Sequence, residues 1–128
     1  MWERRLYTHL EQSRSGVVGV GIMNHLFGGG VYDGDFNLNP IWDSNWITRA
    51  YFIPALHPDP KQIYMIGLGS GSWAWAIVQN TDLEKLTVVE INPAYFKLWP
   101  NFPEHETLLT NPKVDLIVDD GRLCDELQ

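Results

Sequence analysis

The chain has 128 residues, enough for one domain with at most a short appendage, and its hydrophobic content of 45% allows a real core. A formal net charge of −7 argues against nucleic acid or any other polyanionic partner, because neutralising phosphates needs clustered Lys and Arg. The single Cys124 rules out an intramolecular disulfide framework and fits a reducing, cytoplasmic setting, and no apolar run is long enough to span a bilayer. The opening Met1-Trp2-Glu3-Arg4-Arg5 leads into no apolar stretch of signal-peptide type, so no secretory signal is expected. His9, His25, His57 and His105 are scattered, without metal-ligand spacing between them or with Cys124, and no metal is expected. An acidic surface suits a small cationic substrate but is also common in soluble proteins.

In chain order, Leu6 to Ser13 reads as a short helix or an arm. Ser15 to Met23 carries Val17, Val18, Val20 and Ile22 and predicts a strand interrupted by Gly19 and Gly21. Asn24-His25 marks a tight turn, Leu26-Phe27 a return strand, and Gly28-Gly29-Gly30 a bulge or strand crossing, before Val31-Tyr32 resumes and Asp33-Gly34 signals a turn. Residues 15–37 therefore predict a β-hairpin or small meander. The glycine triplet is no phosphate loop, since no Lys-Ser/Thr and no helix follow it. Residues 43–56, with Trp46, Ile47, Tyr51, Phe52 and Leu56, fit a helix capped by Asp43 or Ser44, which Pro54 shortens or kinks. His57-Pro58-Asp59-Pro60-Lys61 is a stiff connector.

From Gln62 the pattern becomes a regular alternation: strand 63–66, glycine turn 67–71, helix 72–80, strand 86–91, a helix from about Pro93 (capped by Asn92) to Trp99-Pro100, and strand 114–118. Strands separated by helices imply parallel pairing with right-handed crossovers. The expected fold class is α/β: a partial Rossmann-like parallel sheet of strand order 3-2-1 after an N-terminal β-hairpin region. The expected division is residues 1–56, a hairpin and oligomerisation region with a connecting helix, and residues 57–128, the first half of a nucleoside-binding domain.

Chemistry concentrates where an apolar strand runs into Gly67-Leu68-Gly69-Ser70-Gly71 and Glu90 closes the next strand. The glycines permit a tight turn and close approach of backbone to a ligand, and a carboxylate at the end of the second strand can accept both hydroxyls of a ribose. A dinucleotide fingerprint requires Gly or Ala at position 72, where this chain has Ser, and its third glycine falls at 71. The G-x-G-x-G spacing, with no cationic residue in the loop, favours an adenosyl-sulfonium over a nicotinamide pyrophosphate. For Glu90 the competing reading is a strand-end carboxylate that caps the next helix or faces solvent. Asp119-Asp120-Gly121 stands at the carboxyl end of the third strand, where an aspartate could accept from an adenine amino group with Gly121 allowing close approach; a solvated turn is an equal alternative.

Four segments carry a family resemblance: Leu56 to Lys61, Ile66 to Ala74, Val88 to Pro93, and Asn111 to Arg122. Together they resemble the spermidine synthase family of polyamine aminopropyltransferases, with its class I methyltransferase-type fold. The resemblance covers about residues 15–128 and is strongest from 56 onward. It implies S-adenosylmethionine or its decarboxylated form as donor. Gly67, Gly69, Ser70 and Gly71 would then lie at the ligand, Glu90 at the ribose, and Asp120 with Gly121 at the adenine. It also implies a small cationic amine as acceptor and a homo-oligomer.

Three departures qualify that reading. Ser70 stands where the family has an aspartate in its glycine turn. The upstream Tyr-His-Glu stretch is absent, with Arg49 and Tyr51 in that region instead. The family's catalytic aspartate follows a fourth strand, so no catalytic residue is assigned, and the chain is expected to be inactive alone, as a fragment or as a dimer covering the edge at strand 63–66. Two alternatives remain open: an S-adenosylmethionine-dependent methyltransferase of another substrate, and a non-catalytic nucleoside-binding or dimerisation module.

Overall fold

The structure, a computed structural model, describes residues 6–122. Cys124 lies outside them. Two sheets form. The first is an antiparallel meander of β1 (Tyr7–Ser13), β2 (Gly16–Gly21), β3 (His25–Gly28) and β4 (Val31–Asp35), in spatial order β1-β2-β3-β4. Residues 7–13 are thus a strand rather than a helix or arm. Their side chains alternate between half-buried and exposed, the period-two pattern of a sheet with one covered face.

The loop chemistry of the meander also differs from expectation. Gly29 and Gly30, at φ 58° and 82°, form the two-residue connection between β3 and β4. A turn that needs left-handed φ at both central positions takes two glycines readily, and its twist matches the strands it joins. Asp33-Gly34 accordingly lies inside β4 and is not a turn. At the β2–β3 connection, Met23 and Asn24 both adopt left-handed φ of 63°.

Residues 43–56 form a 3-10 helix, Ile47–Phe52, running into a short α1 (Ile53–Leu56) with Pro54 in its first turn. Trp46 rather than Asp43 or Ser44 holds the N-cap position, but the Asp43 carboxylate accepts from the first-turn amides of Ile47 and Thr48, each at 2.8 Å, and from the Thr48 hydroxyl. Burial raises its pKa, and these hydrogen bonds outweigh that and leave it lowered.

The second sheet is parallel, β5 (Gln62–Ile66), β6 (Lys85–Glu90) and β7 (Val114–Val118), with β6 central. This is the expected 3-2-1 order. Helix α2 (Ser72–Val78) crosses from β5 to β6. The β6–β7 crossover holds α3 (Ala94–Leu98), a 3-10 turn at Trp99–Asn101, α4 (Pro103–Glu106) and a further 3-10 turn at Thr107–Thr110. Asn92 caps α3 through the Ala94 amide at 3.0 Å. The pieces stay short because Pro100 and Pro103 remove the amides a continuous helix would need.

One core joins the two sheets. Leu86 and Val88 of β6 share a cluster with Val18, Val20 and Leu26 of the meander and with Tyr95, Leu98 and Trp99. Helix α3 packs on β1 and β2, and α2 packs on β6 and on the 47–52 segment. Phe36 stacks on Phe102 with ring centroids 3.7 Å apart, locking the end of the meander to the crossover. This packing brings β4 over the carboxyl end of the parallel sheet.

Candidate functional site

The glycine turn follows β5 with Gly67, Gly69 and Gly71 at φ 86°, 54° and 78°. L side chains rarely adopt such values, which explains the residue type at all three. Their surroundings differ. A Cβ at Gly67 would meet nothing within 4 Å, and one at Gly69 would meet only Asp33. A Cβ at Gly71 would collide with the ring of the fully buried Trp99. Gly71 therefore serves close packing, while Gly67 and Gly69 border open space.

That space is a cavity of 490 Å³ at the carboxyl end of the parallel sheet. Gly67, Gly69, Ser70 and Glu90 line it, so four of the seven predicted site residues meet there. Ser70 is 6% exposed, and its hydroxyl is shared with that of Ser72 at 2.6 Å. Glu90 is 5% exposed. Its Oε2 accepts from the Leu68 amide at 2.8 Å and its Oε1 from the Asn92 amide at 2.7 Å. A carboxylate offers about four acceptor positions, so each oxygen keeps one for a ligand hydroxyl.

Asp120 and Gly121 do not line this cavity. They stand at the same sheet edge, where the Asp119 amide donates to the Glu90 carbonyl at 3.2 Å. Asp120 is held by Arg122, whose Nε and Nη2 donate at 3.0 and 2.6 Å, and this pairing brings its carboxyl down to about 2. Gly121 lies against the side chain of Ile66.

The residues that sequence reasoning missed come from the meander and the segment after it. Asp33 lines the cavity from β4, and its Oδ2 accepts a 2.5 Å hydrogen bond from the Tyr95 hydroxyl on α3. Burial, with the Asp33 carboxylate beside it, pushes the Tyr95 hydroxyl well above its ordinary pKa, so it remains a donor. Asn45 is the hinge pin. Its Oδ1 accepts from the Asp35 amide at 2.8 Å, and its Nδ2 lies within reach of the Asp35 carbonyl at 2.7 Å and the Ser72 hydroxyl at 2.9 Å. The indole of Trp73 donates to the Asn45 carbonyl at 2.8 Å. One amide thereby fixes β4 against the start of α2.

Trp46 lines the cavity and is 61% exposed, with a left-handed φ of 59° and Arg49 stacked 4.8 Å from its ring centre. A bulky residue in that conformation costs energy and clusters at sites where geometry is imposed. Among the described residues lining the cavity none is Lys, Arg or His, whereas two are carboxylates, Asp33 and Glu90. Among the described residues, no group of His, Cys, Asp and Glu could hold a metal, and no helix is long and apolar enough to cross a membrane.

No family model matches the chain. It is 32% identical over 66 residues to a polyamine aminopropyltransferase of Bacillus subtilis (strain 168), covering 51% of this chain and 24% of that protein. The same identity over 66 residues links it to spermidine synthase of Dictyostelium discoideum, with 51% and 23% covered. In structure it is similar to spermidine synthase from Thermotoga maritima, at a TM-score of 0.70 and 14% identity, covering 90% of this chain and 40% of that one. A spermidine synthase in complex with the transition-state analogue AdoDATO is similar at a TM-score of 0.69 and 14% identity, covering 88% and 39%. The matches bear out the resemblance to the spermidine synthase family, and the fold is the one these structures have. The matched segments span about a quarter of the curated relatives' length.

Proposed function

We propose that this chain, similar in sequence to the polyamine aminopropyltransferases and sharing the spermidine synthase fold, binds an adenosyl-sulfonium donor: decarboxylated S-adenosylmethionine or S-adenosylmethionine. The observation that carries this reading is the meeting of Gly67, Gly69 and Glu90 on one 490 Å³ cavity at the carboxyl end of the sheet. That edge is where open α/β sheets take nucleosides. In this reading Glu90 accepts the ribose hydroxyls with its remaining lone pairs, Gly67 and Gly69 run beneath the ligand, and Asp120 with Gly121 approaches the adenine. In this reading residues 57–128 are the first half of the nucleoside-binding domain and residues 1–56 its hairpin and oligomerisation region, of which Tyr32, Asp33 and Asn45 line the cavity.

The reaction proposed from the family is aminopropyl transfer to a small amine. A neutral amine nitrogen attacks the carbon next to the sulfonium; the C–N bond forms, the C–S bond breaks, and its electron pair leaves with a neutral thioether. The amine's proton must then go to a base. The family's carboxylate for that step follows a fourth strand, so we assign these residues to donor binding and not to proton transfer.

Among the donors, a cavity lined, among the described residues, by two carboxylates and no cation favours the decarboxylated form over the amino acid, whose own carboxylate it would repel. Calorimetry with both donors and methylthioadenosine tests the reading. Binding of the nucleoside ligands, with the decarboxylated donor tightest, is the expected result. S-adenosylmethionine binding tightest would favour a methyltransferase, and absence of binding by all three would leave a non-catalytic module. Transfer to putrescine by the purified chain would overturn the restriction to donor binding.

A further inference from the structure

The glycine turn carries no carboxylate of its own, and the Ser70 hydroxyl is engaged with Ser72. A carboxylate nonetheless overhangs the turn. Asp33, thirty-six residues upstream on a different sheet, places Oδ2 3.9 Å from where a Cβ of Gly69 would stand, with its carbonyl oxygen at 3.6 Å. A Cβ at 69 would rest in ordinary van der Waals contact with Asp33, so the two segments pass side by side. Asp33 lines both the 490 Å³ cavity and an adjoining space of 390 Å³, and Glu90 borders both as well.

The carboxylate is held by design of the surrounding residues. The Tyr95 hydroxyl donates to it at 2.5 Å, and a Cβ at Gly28 would collide with that same hydroxyl. The first glycine of the triplet is thus what lets Tyr95 reach Asp33. Among the described residues Asp33 forms no ion pair, whereas Asp35, Asp59, Asp115 and Asp120 each have a cationic or histidine partner. Its remaining acceptor positions face a cavity that already holds the Glu90 carboxylate.

We propose that Asp33 is the specificity-determining residue for the cationic chain of the donor: delivered from the meander, it does for a terminal ammonium what the glycine turn with Ser70 does not. A charge-assisted hydrogen bond from the ammonium would occupy its open positions, and the α-carboxylate of an amino acid donor would be repelled there. Gly28 and Tyr95 are positioning residues for it. The assignment rests on the adenosyl-sulfonium reading above.

Calorimetry on the full chain and on D33N separates the two. The ligands are decarboxylated S-adenosylmethionine, S-adenosylmethionine, and methylthioadenosine, which lacks the cationic chain. Loss of one charge-assisted contact should weaken the decarboxylated donor about tenfold or more in D33N, leave methylthioadenosine within about twofold, and narrow the preference over S-adenosylmethionine. Asp33 is exposed, and Asn keeps an acceptor for Tyr95, so D33N should melt with the parent. Y95F, which retains the charge but not its anchor, should shift the same preference in the same direction by a smaller factor. Equal weakening of methylthioadenosine and the decarboxylated donor in D33N would overturn the proposal, as would no change in either. A parent chain that binds none of the three would sink the donor reading itself.

Discussion

The amide of Leu68 donates to Oε2 of Glu90 at 2.8 Å, tying the glycine turn after β5 to the end of β6. With the Asn92 amide on Oε1, the buried carboxylate orders both loops that border the cavity. Glu90 therefore has a structural duty besides any role toward a ligand. Replacement by Gln turns one face of the side chain into a donor, facing Leu68 or Asn92 N–H. A buried amide left without an acceptor costs about 1–3 kcal/mol, so E90Q should lower the unfolding free energy measured in urea by that amount. An E90Q chain as stable as the parent would show that these amides find other acceptors. Lost ligand binding in Glu90 variants must accordingly be read beside their melts.

The three glycines of the turn should separate in the same way. Gly71→Ala drives a methyl group into the Trp99 ring and demands a left-handed alanine. Overpacking of this kind costs roughly 1–3 kcal/mol, with about 1–2 more for the backbone. Gly67→Ala meets no atom and carries only the backbone cost of about 1–2 kcal/mol. Thermal melts should therefore rank Gly71→Ala well below Gly67→Ala, and the reverse ranking would refute the packing role.

Much of the parallel half was legible because its signals are local. Apolar runs, proline and asparagine at the start of α3, and the glycine spacing fix strands, crossovers and the cavity floor within a few residues of one another. The meander was harder. Tyr7 to Ser13 alternates weakly, with polar residues on its covered face, and Asp33-Gly34 carries turn chemistry yet sits in a strand, because Gly29-Gly30 already make the turn. The cavity's remaining wall escaped for a related reason. Asp33 and Tyr95 meet across 62 residues, and Asn45 and Ser72 across 27, through the packing of two sheets that no local pattern encodes.

Strand β5 pairs only with β6 among the described residues, leaving one backbone edge of an apolar strand without a neighbour. Ile66 at its end is 66% exposed, and the apolar Phe52 and Leu56 are exposed nearby in sequence at 65% and 86%. Edges of this type associate with other chains. Sedimentation at micromolar concentration should show self-association that Ile66→Lys reduces. A well-folded monomer under those conditions would contradict this.

His105 supplies a pH dependence. It is 3% exposed on α4, edge-on to Phe36 at 4.9 Å, and its Nε2 has no hydrogen-bond partner among the described residues. Burial pulls its pKa down to about 4, against an ordinary value of 6.5. Because the charged form is the protonated one, burial favours the neutral ring, and the unfolded chain binds the proton first. Stability is thus unaffected by this group above about pH 6.5, falls as pH drops from there toward 4, and levels off below, where both states are protonated. The full loss for a shift of this size is roughly 3 kcal/mol. Urea unfolding at pH 7.5 and at pH 4.5 should show most of that difference. His105→Phe should remove the part of the loss that lies between those pH values, whatever its effect on stability at neutral pH. An unchanged pH profile in the variant would place the acid sensitivity on the carboxylates instead.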